Sequence, residues 1–596
     1  MARLEEKGNI ECGQDEQDNY TEDGTVDLKG RPVLRSNTGR WKACSFIVVY
    51  EIFERLAYQG ILANLVLYLT RELHQGTVTA SNNVTNWSGT VWMTPILGAY
   101  IADAYLGRFW TFVIASAIYL MGMILLTLAV SVPGLRPPSC SHGIKEEDCT
   151  VKGSSLQVGI FYLALYIIAV GNGGTKPNIS TMGADQFDEF EPKEKKQKLS
   201  FFNWWVFSVF FGFLVSETFV VYIQDNVGWT LGYGIPTAGL VIAVSVFSVG
   251  TPFYRHKMPC GSPFTKMAKV CVAAFRKWKL PLPDDPKELY ELSVEDYALN
   301  GMHKIDHTTS LRFLDKAAVK GIGTKTPWTL CPVTQVEQTK QLVKMLPLLL
   351  ATFIPSIISA QSQTLFIKQG TTLDRSLGPQ FSVPPASLMA FVTIFMLTTI
   401  VVYDRFFIPT ARRYTKNPRG ITLLQRFGVG LVLHIIISLT ASFAERKRLS
   451  VARAHGVFHK NETVPLTVFI LLPQFAIMGI TDAFLEISKQ EFFYFQAPEG
   501  MKSLGTSFFT TSKGVGNFLS TIVLTTVSDI TKRHGHGGWV LDNLNVSHLD
   551  YYYAFLAVLA FLNFLFFLLV AKFFVYNAEV KKSKNVDLND QKTLQS

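Results

Sequence analysis

Twelve apolar runs of about 20 residues, separated by polar loops, leave this chain few ways to fold. They lie at about 44–69, 84–106, 109–131, 156–182, 200–223, 229–252, 341–366, 386–405, 421–443, 465–490, 503–528 and 551–576. A run of that length crosses the hydrocarbon core as a helix, because lipid offers the backbone no hydrogen-bond partners. A soluble chain of 596 residues would form roughly three or four domains, but here mean hydropathy is positive and only 17% of residues are charged. The expected fold is an all-α polytopic membrane protein.

Residues 1–40 are polar and acidic-rich, without the apolar core of a secretory signal, and read as a cytosolic, largely disordered tail. Arg35, Arg40 and Lys42 adjoin the first run and hold that end inside. An even number of spans returns Lys581, Lys582 and Lys584 to the same side. Arg108, Lys193 to Lys198, and Arg412, Arg413, Lys416 and Arg419 also fall inside, whereas Arg446, Lys447, Arg448 and Arg453 break the rule. The sequons at Asn461 and Asn545 fall in outer loops, which marks the chain as a candidate glycoprotein. Those at Asn83 and Asn86 sit too near the membrane. Cys140 and Cys149 share an outer loop where a disulfide can form.

The expected organisation is a tail (1–43), a six-helix bundle (44–252), a cytosolic linker (253–340), a second bundle (341–576) and a tail (577–596). The linker is rich in Lys, Asp, Glu and Pro, with an amphipathic helix expected over Pro263 to Trp278. Its charge fits solvation and lipid headgroups rather than a nucleic-acid partner.

Charges inside the spans carry the functional signal. Glu51, Glu54 and Arg55 share one helical face in the first run. A charge at the bilayer centre costs several kcal/mol, so such groups face water or one another. A helix end snorkelling at the interface is the plainer alternative; three ionisable groups on one face argue against it. In span four, Gly171-Asn172-Gly173-Gly174-Thr175-Lys176-Pro177-Asn178 reads as a break in an apolar helix and fails as a phosphate loop by spacing. Lys176 lies near the depth of the Glu51–Arg55 face, where the charges can form an ionic network, unless the lysine merely snorkels. Glu217 has no local partner in span five: it faces a cavity neutral, packs on a polar neighbour, or has a functional role. Asp482 and Lys513 sit at similar depth and are expected to pair, with a direct contact from Lys513 to a solute anion as the alternative.

A six-helix repeat is also visible. Gly98, Asp103, Gly107 and Arg108 follow span two, and Tyr403, Asp404 and Arg405 with Arg412 and Arg413 follow span eight. An Asp at a helix end beside basic residues makes a charge clamp, and Gly98 lets helices approach. The arrangement resembles the loop between helices two and three of the major facilitator superfamily, which implies two six-helix bundles rocking about a central site.

Glu51-x-x-Glu54-Arg55, Gly173-Gly174-Thr175-Lys176-Pro177-Asn178 and Phe201-Phe202-Asn203-Trp204-Trp205 together resemble the proton-coupled oligopeptide transporter family. Asp23-Gly24-Thr25-Val26-Asp27 and Ala497-Pro498-Glu499 resemble its plant nitrate/peptide branch. The resemblance covers essentially the whole chain. It implies a symporter that takes up a small organic or anionic solute with protons by alternating access. Glu51 and Glu54 would carry the proton, with Arg55 and Lys176 as charge partners and Asp482 at the central site. A cation shared between a carboxylate and a solute changes the carboxylate's proton affinity, a coupling that is reciprocal.

The solute site expected on this reading draws on Tyr58, Gln59, Asn64, Ser359, Gln361, Asp482 and Lys513. Two departures bear on the solute. The arginine of peptide-carrying relatives is replaced by Leu62, and the histidine of a nitrate-carrying one by Ser359. Nitrate, a di- or tripeptide, a hormone and a specialised metabolite all stay open, as do the plasma and vacuolar membranes. No cofactor or metal is implied. His534-Gly535-His536-Gly537-Gly538 reads as a flexible outer turn, and no nucleophile elbow, His-Glu-x-x-His or paired-Cys site points to an enzyme. A sensor that keeps the pocket but has little turnover is the alternative; intact Glu51, Glu54 and Arg55 argue against it.

Overall fold

The computed structural model describes residues 20–136, 153–188, 190–259, 261–293, 304–320, 326–415, 417, 420–460, 462–498, 501–533 and 538–574. The first bundle comprises α1 (Arg40–Arg71), α2 (Thr77–Ile101), α3 (Gly107–Ser131), α4 (Ser155–Ala184), α5 (Pro192–Asn226) and α6 (Trp229–Val249). The second comprises α7 (Val333–Gly370), α8 (Pro385–Thr415), α9 (Leu423–Ala454), α10 (Val468–Gln496), α11 (Lys502–Arg533) and α12 (Leu549–Phe573). Among the described residues, nine helical stretches are long and apolar enough to cross a membrane, and Thr77–Ser131 contains both α2 and α3, joined by a π-turn at Ala102–Leu106. The two remaining helices, α1 and α11, have the length but carry Glu51, Glu54 and Arg55, and Lys513, in mid-course.

Small residues set the spacing of the helices. The expected break at Gly171 to Asn178 does not occur, because α4 runs on through Pro177. Its glycines instead bring neighbours close: a Cβ on Gly98 would overlap the Gly173 carbonyl, so α2 and α4 touch backbone to backbone. The bundles meet along α2 and α11, and along α5 and α8. On the first seam Asn82 donates to Thr525 (2.8 Å), the Thr85 and Thr521 hydroxyls pair (2.7 Å), and Thr521 donates to Asn86 (2.9 Å). Further in, Gly89 packs on Phe518 and Gly514 on Met93.

The charge clamp after α2 differs from the one expected. Arg108 pairs with Asp185 at the end of α4, not with Asp103, and Lys257 approaches the same carboxylate at 3.7 Å. The Asp103 carbonyl accepts from the Gly261 N–H (3.2 Å). Gly107, at φ 75°, supplies the left-handed turn that lets α3 start there. In the second bundle Asp404 and Arg405 are exposed, and Arg426 lies over the Tyr403 ring, 4.5 Å from its centroid.

Residues 20–39 are not a loose tail. Val26 exchanges backbone hydrogen bonds with His256 (2.9 Å each), and Arg35 pairs with Asp188 (2.8 Å). Arg40 and the fully buried Arg255 both reach Glu194 at 2.7 Å. Burial works against ionised Asp188, but the Glu22 and Phe190 N–H groups and Arg35 hold it below the usual carboxylate range. The strap is therefore fastened at neutral pH and loosens as pH falls through that lowered range. In the linker the amphipathic helix spans Pro263–Arg276, and its Val270, Ala273 and Ala274 pack on Leu314, Ala317 and Val336. Helix α7 begins at Val333, inside the expected linker, and Lys340 is buried between Asp315 and Glu337 at 2.7 Å from each.

One of the basic residues that break the expected charge rule, Arg448, is spent inside the fold. Arg448 is wholly buried, donating to Glu445 (2.6 and 2.8 Å), Asn545 (2.7 Å) and the Leu544 carbonyl (2.7 Å). The Asn545 amide is itself buried and donates to the His459 and Glu462 carbonyls, which leaves that sequon inaccessible in the folded protein. Asn461, Cys140, Cys149 and His534 to Gly537 lie outside the described residues. Breaking a buried pair from one side strands a charge. Glu445→Gln is expected to cost about 3 kcal/mol, read as a lower thermal midpoint, and Glu445→Leu with Arg448→Leu to recover most of it. A Glu445→Gln protein as stable as the parent would refute the pair's role.

Candidate functional site

The first half of the site sits on α1, whose Glu51, Glu54 and Arg55 are 0, 2 and 6% exposed. Arg55 Nε donates to Glu51 Oε1 at 2.6 Å and lies 3.3 Å from Glu54 Oε2. Glu54 Oε1 accepts from the Asn172 amide of α4 at 2.7 Å, a contact set by the glycine-lined approach of α4. Oε2 of each carboxylate has no hydrogen-bond donor among the described residues. One guanidinium thus serves two carboxylates, and each acid keeps an oxygen without a hydrogen bond, able to take a proton.

Lys176 lies beside this cluster. Its Nζ is buried, makes no hydrogen bond among the described residues, and stands 4.3 Å from the Tyr58 ring centroid and 4.1 Å from that of Trp92. Aromatic faces lower the cost of enclosing an ammonium group but leave its three N–H donors unused.

The second half sits on α10 and α11. Lys513 pairs with Glu486 at 3.0 Å, and Lys489 with the other oxygen of Glu486 at 2.8 Å. The expected Asp482–Lys513 pair is therefore corrected by one helical turn: Asp482 is half-buried on the same face, four residues before the carboxylate that Lys513 holds. Sequence reasoning missed Glu486 and Lys489, an acid and a lysine three residues apart next to the expected inner end at 490. Helix α10 runs on to Gln496, which encloses them. Trp92 joins the halves, with Lys176 of the first bundle over its ring and Lys513 of the second 4.9 Å from the ring centroid.

The remaining expected solute residues divide. The Tyr58 ring faces Lys176, and the Ser359 hydroxyl lies 3.4 Å from His434 Nε2 of α9. His434 Nδ1 is 3.0 Å from the Gly430 carbonyl, which fixes the proton there and leaves Nε2 to accept from Ser359. Gln59, Asn64 and Gln361 are taken up between helices instead. Gln59 donates to Glu217 (2.7 Å), Asn64 to Gln224 (3.0 Å), and Gln361 to Ser520 (3.2 Å) and to its own helix.

A family model described as the POT family matches residues 109–540, well over half of the chain. The chain belongs to the POT family. It is 60% identical to the NRT1/PTR FAMILY 5.2 protein of Arabidopsis thaliana over 570 residues, covering 96% of this chain and 97% of that one. NRT1/PTR FAMILY 5.3 of the same plant is 59% identical over 571 residues, with the same coverage. Among solved structures, an auto-inhibited POT family peptide transporter aligns at TM-score 0.66 and 21% identity, over 90% of this chain and 98% of that one. The POT family transporter PepTSo aligns at TM-score 0.64 and 19% identity, over 89% and 97%. At that identity the structures establish the fold alone, that of POT transporters, and family membership makes the chain a multi-pass membrane transporter rather than an enzyme.

A double-mutant cycle checks the C-terminal pairing. Lys513→Met is expected to lower the thermal midpoint, and Glu486→Gln to restore part of the loss with a coupling of about 1–2 kcal/mol. Asp482→Asn should add independently; coupling to Asp482 with none to Glu486 would reverse the assignment.

Proposed function

We propose that this POT family member is a proton-coupled symporter whose solute carries an anionic group such as a carboxylate. The observation that carries the reading is Lys176 Nζ, buried between Tyr58 and Trp92 with its donors unused, next to two carboxylates that share one guanidinium. An anion at Lys176 draws on the positive charge that otherwise acts on Glu54 and Glu51, so solute and proton bind most favourably together. Lys513 of the opposite bundle also lies at Trp92, 4.9 Å from the ring centroid, so a solute anion there would gain cations from both halves.

The outer side of the site is closed. Asp225 holds Arg71 (2.6 Å) and, across the bundles, Arg375 (3.1 Å); Tyr222 stacks on Phe381; and the Asp542 carboxylate accepts from the Thr77 N–H (2.6 Å). This supports a cycle in which the solute leaves toward the cytosol from the shape described here.

Uptake currents for a panel of carboxylates, peptides and nitrate, at about pH 5.5 and about pH 7.5, test the reading: larger inward current at the lower pH supports symport, and binding without current supports a sensor. Glu54→Gln is expected to abolish uphill accumulation at near-normal surface expression, because the amide keeps the shape but cannot exchange a proton. Lys176→Ala should weaken solute binding about tenfold or more while the thermal midpoint moves little. Undiminished uphill uptake in either variant would remove that residue from the mechanism.

A further inference from the structure

Glu217 lies outside the charge clusters described above. It is 2% exposed and sits in a π-turn, Ser216–Val220, within α5. The wider turn lets two neighbouring residues reach α1: Ser216 donates to the Leu56 carbonyl (3.1 Å), and Glu217 Oε1 accepts from Gln59 (2.7 Å). Glu217 Oε2 bonds Thr393 of α8 at 2.9 Å, so one carboxyl group spans the seam between the bundles.

Every partner of Glu217 is neutral. Gln59 is presented by α1 and Thr393 by α8, and Pro236 of α6 packs on Gly60. The nearest charges along α1 and α5 are engaged elsewhere, Arg55 with Glu51 and Glu54, and Asp225 with Arg71 and Arg375. No ion pair involving Glu217 occurs among the described residues. An ionised carboxylate enclosed without a cation costs several kcal/mol, and a proton removes that cost. The protonated group keeps both contacts, accepting from Gln59 and donating its O–H to the Thr393 hydroxyl.

We propose that Glu217 is a second proton-binding site, separate from Glu51 and Glu54, that must be protonated for the outer halves of the two bundles to close. The inference rests on the transporter reading only in that the bundles alternate between two shapes. When the outer halves part, water reaches Glu217 and its anion is stable; when they close, Thr393 seals it and the neutral form is required. The sign follows: closing takes up a proton, so low pH outside favours the closed-outer shape and high pH the open-outer one.

Spin labels on Val227 and Ala454, exposed at the outer ends of the first and second bundles, report this equilibrium in the full-length protein without any solute. In the parent, the open-to-closed ratio should rise with pH, by at most about tenfold per pH unit. Glu217→Gln should stay closed and be flat to within about twofold over the same range. Asp225→Asn breaks an ion-paired latch rather than a proton site, so it should shift the ratio at every pH and keep the slope. An unchanged slope in Glu217→Gln overturns the proposal and leaves the Glu51–Glu54 assignment untouched. Should that variant fail to fold, the protein carrying Glu51→Gln and Glu54→Gln decides. Its infrared spectrum must still show a protonated-carboxyl band that disappears as the open-outer population grows, and a band independent of that population overturns the proposal.

Discussion

One guanidinium held between two carboxylates inside a membrane helix is the interaction on which the N-terminal half depends. Lipid cannot solvate any of the three groups, so the protein has to supply their partners. Arg55 satisfies one oxygen of Glu51 and lies close to one of Glu54, and Asn172 of α4 covers the other oxygen of Glu54. Beside Asn172, the glycines of α4 bring its backbone against α2 and α3. Close packing and charge matching are thus one requirement, and a side chain at Gly98 or Gly173 would disturb both.

The C-terminal half carries the opposite imbalance. Two lysines share Glu486, where two carboxylates share Arg55. Between them stands Trp92, whose ring offers each bundle's lysine a weak, non-directional hold. Such a contact supports an ammonium group without claiming its hydrogen bonds, which suits a residue that must bind and release an anion within one cycle.

Much of this was legible from residue types alone. Charges in apolar runs marked α1, Lys176, Glu217 and Lys513, because a bilayer tolerates few ionisable groups and gives each a reason. What sequence reasoning missed was direction and distance. Gln59 and Asn64 lie in the same stretch as Arg55, yet they turn toward α5, a choice made by helix rotation that spacing does not encode. Glu486 and Lys489 were hidden by an end drawn six residues early for α10. Residues 1–40 read as polar and acidic-rich, but Arg35 and Arg40 find acids about 150 residues away, a pairing no local pattern reveals. His434 stood alone in an apolar run, and only the fold brings Ser359 to it.

The hydroxyl seam between α2 and α11 has a consequence for how freely the bundles move. Thr85 pairs with Thr521 across the seam, yet the same hydroxyl is also within 3.1 Å of the Ser81 and Asn82 carbonyls of its own helix. Threonine hydroxyls in helices routinely fall back on such carbonyls. When the helices slide, Thr85 can exchange its partner for one it already touches, and no donor is stranded in lipid. The seam therefore behaves as a bearing rather than a latch, and leaves the preference between shapes to the charged and titratable groups on either side of it.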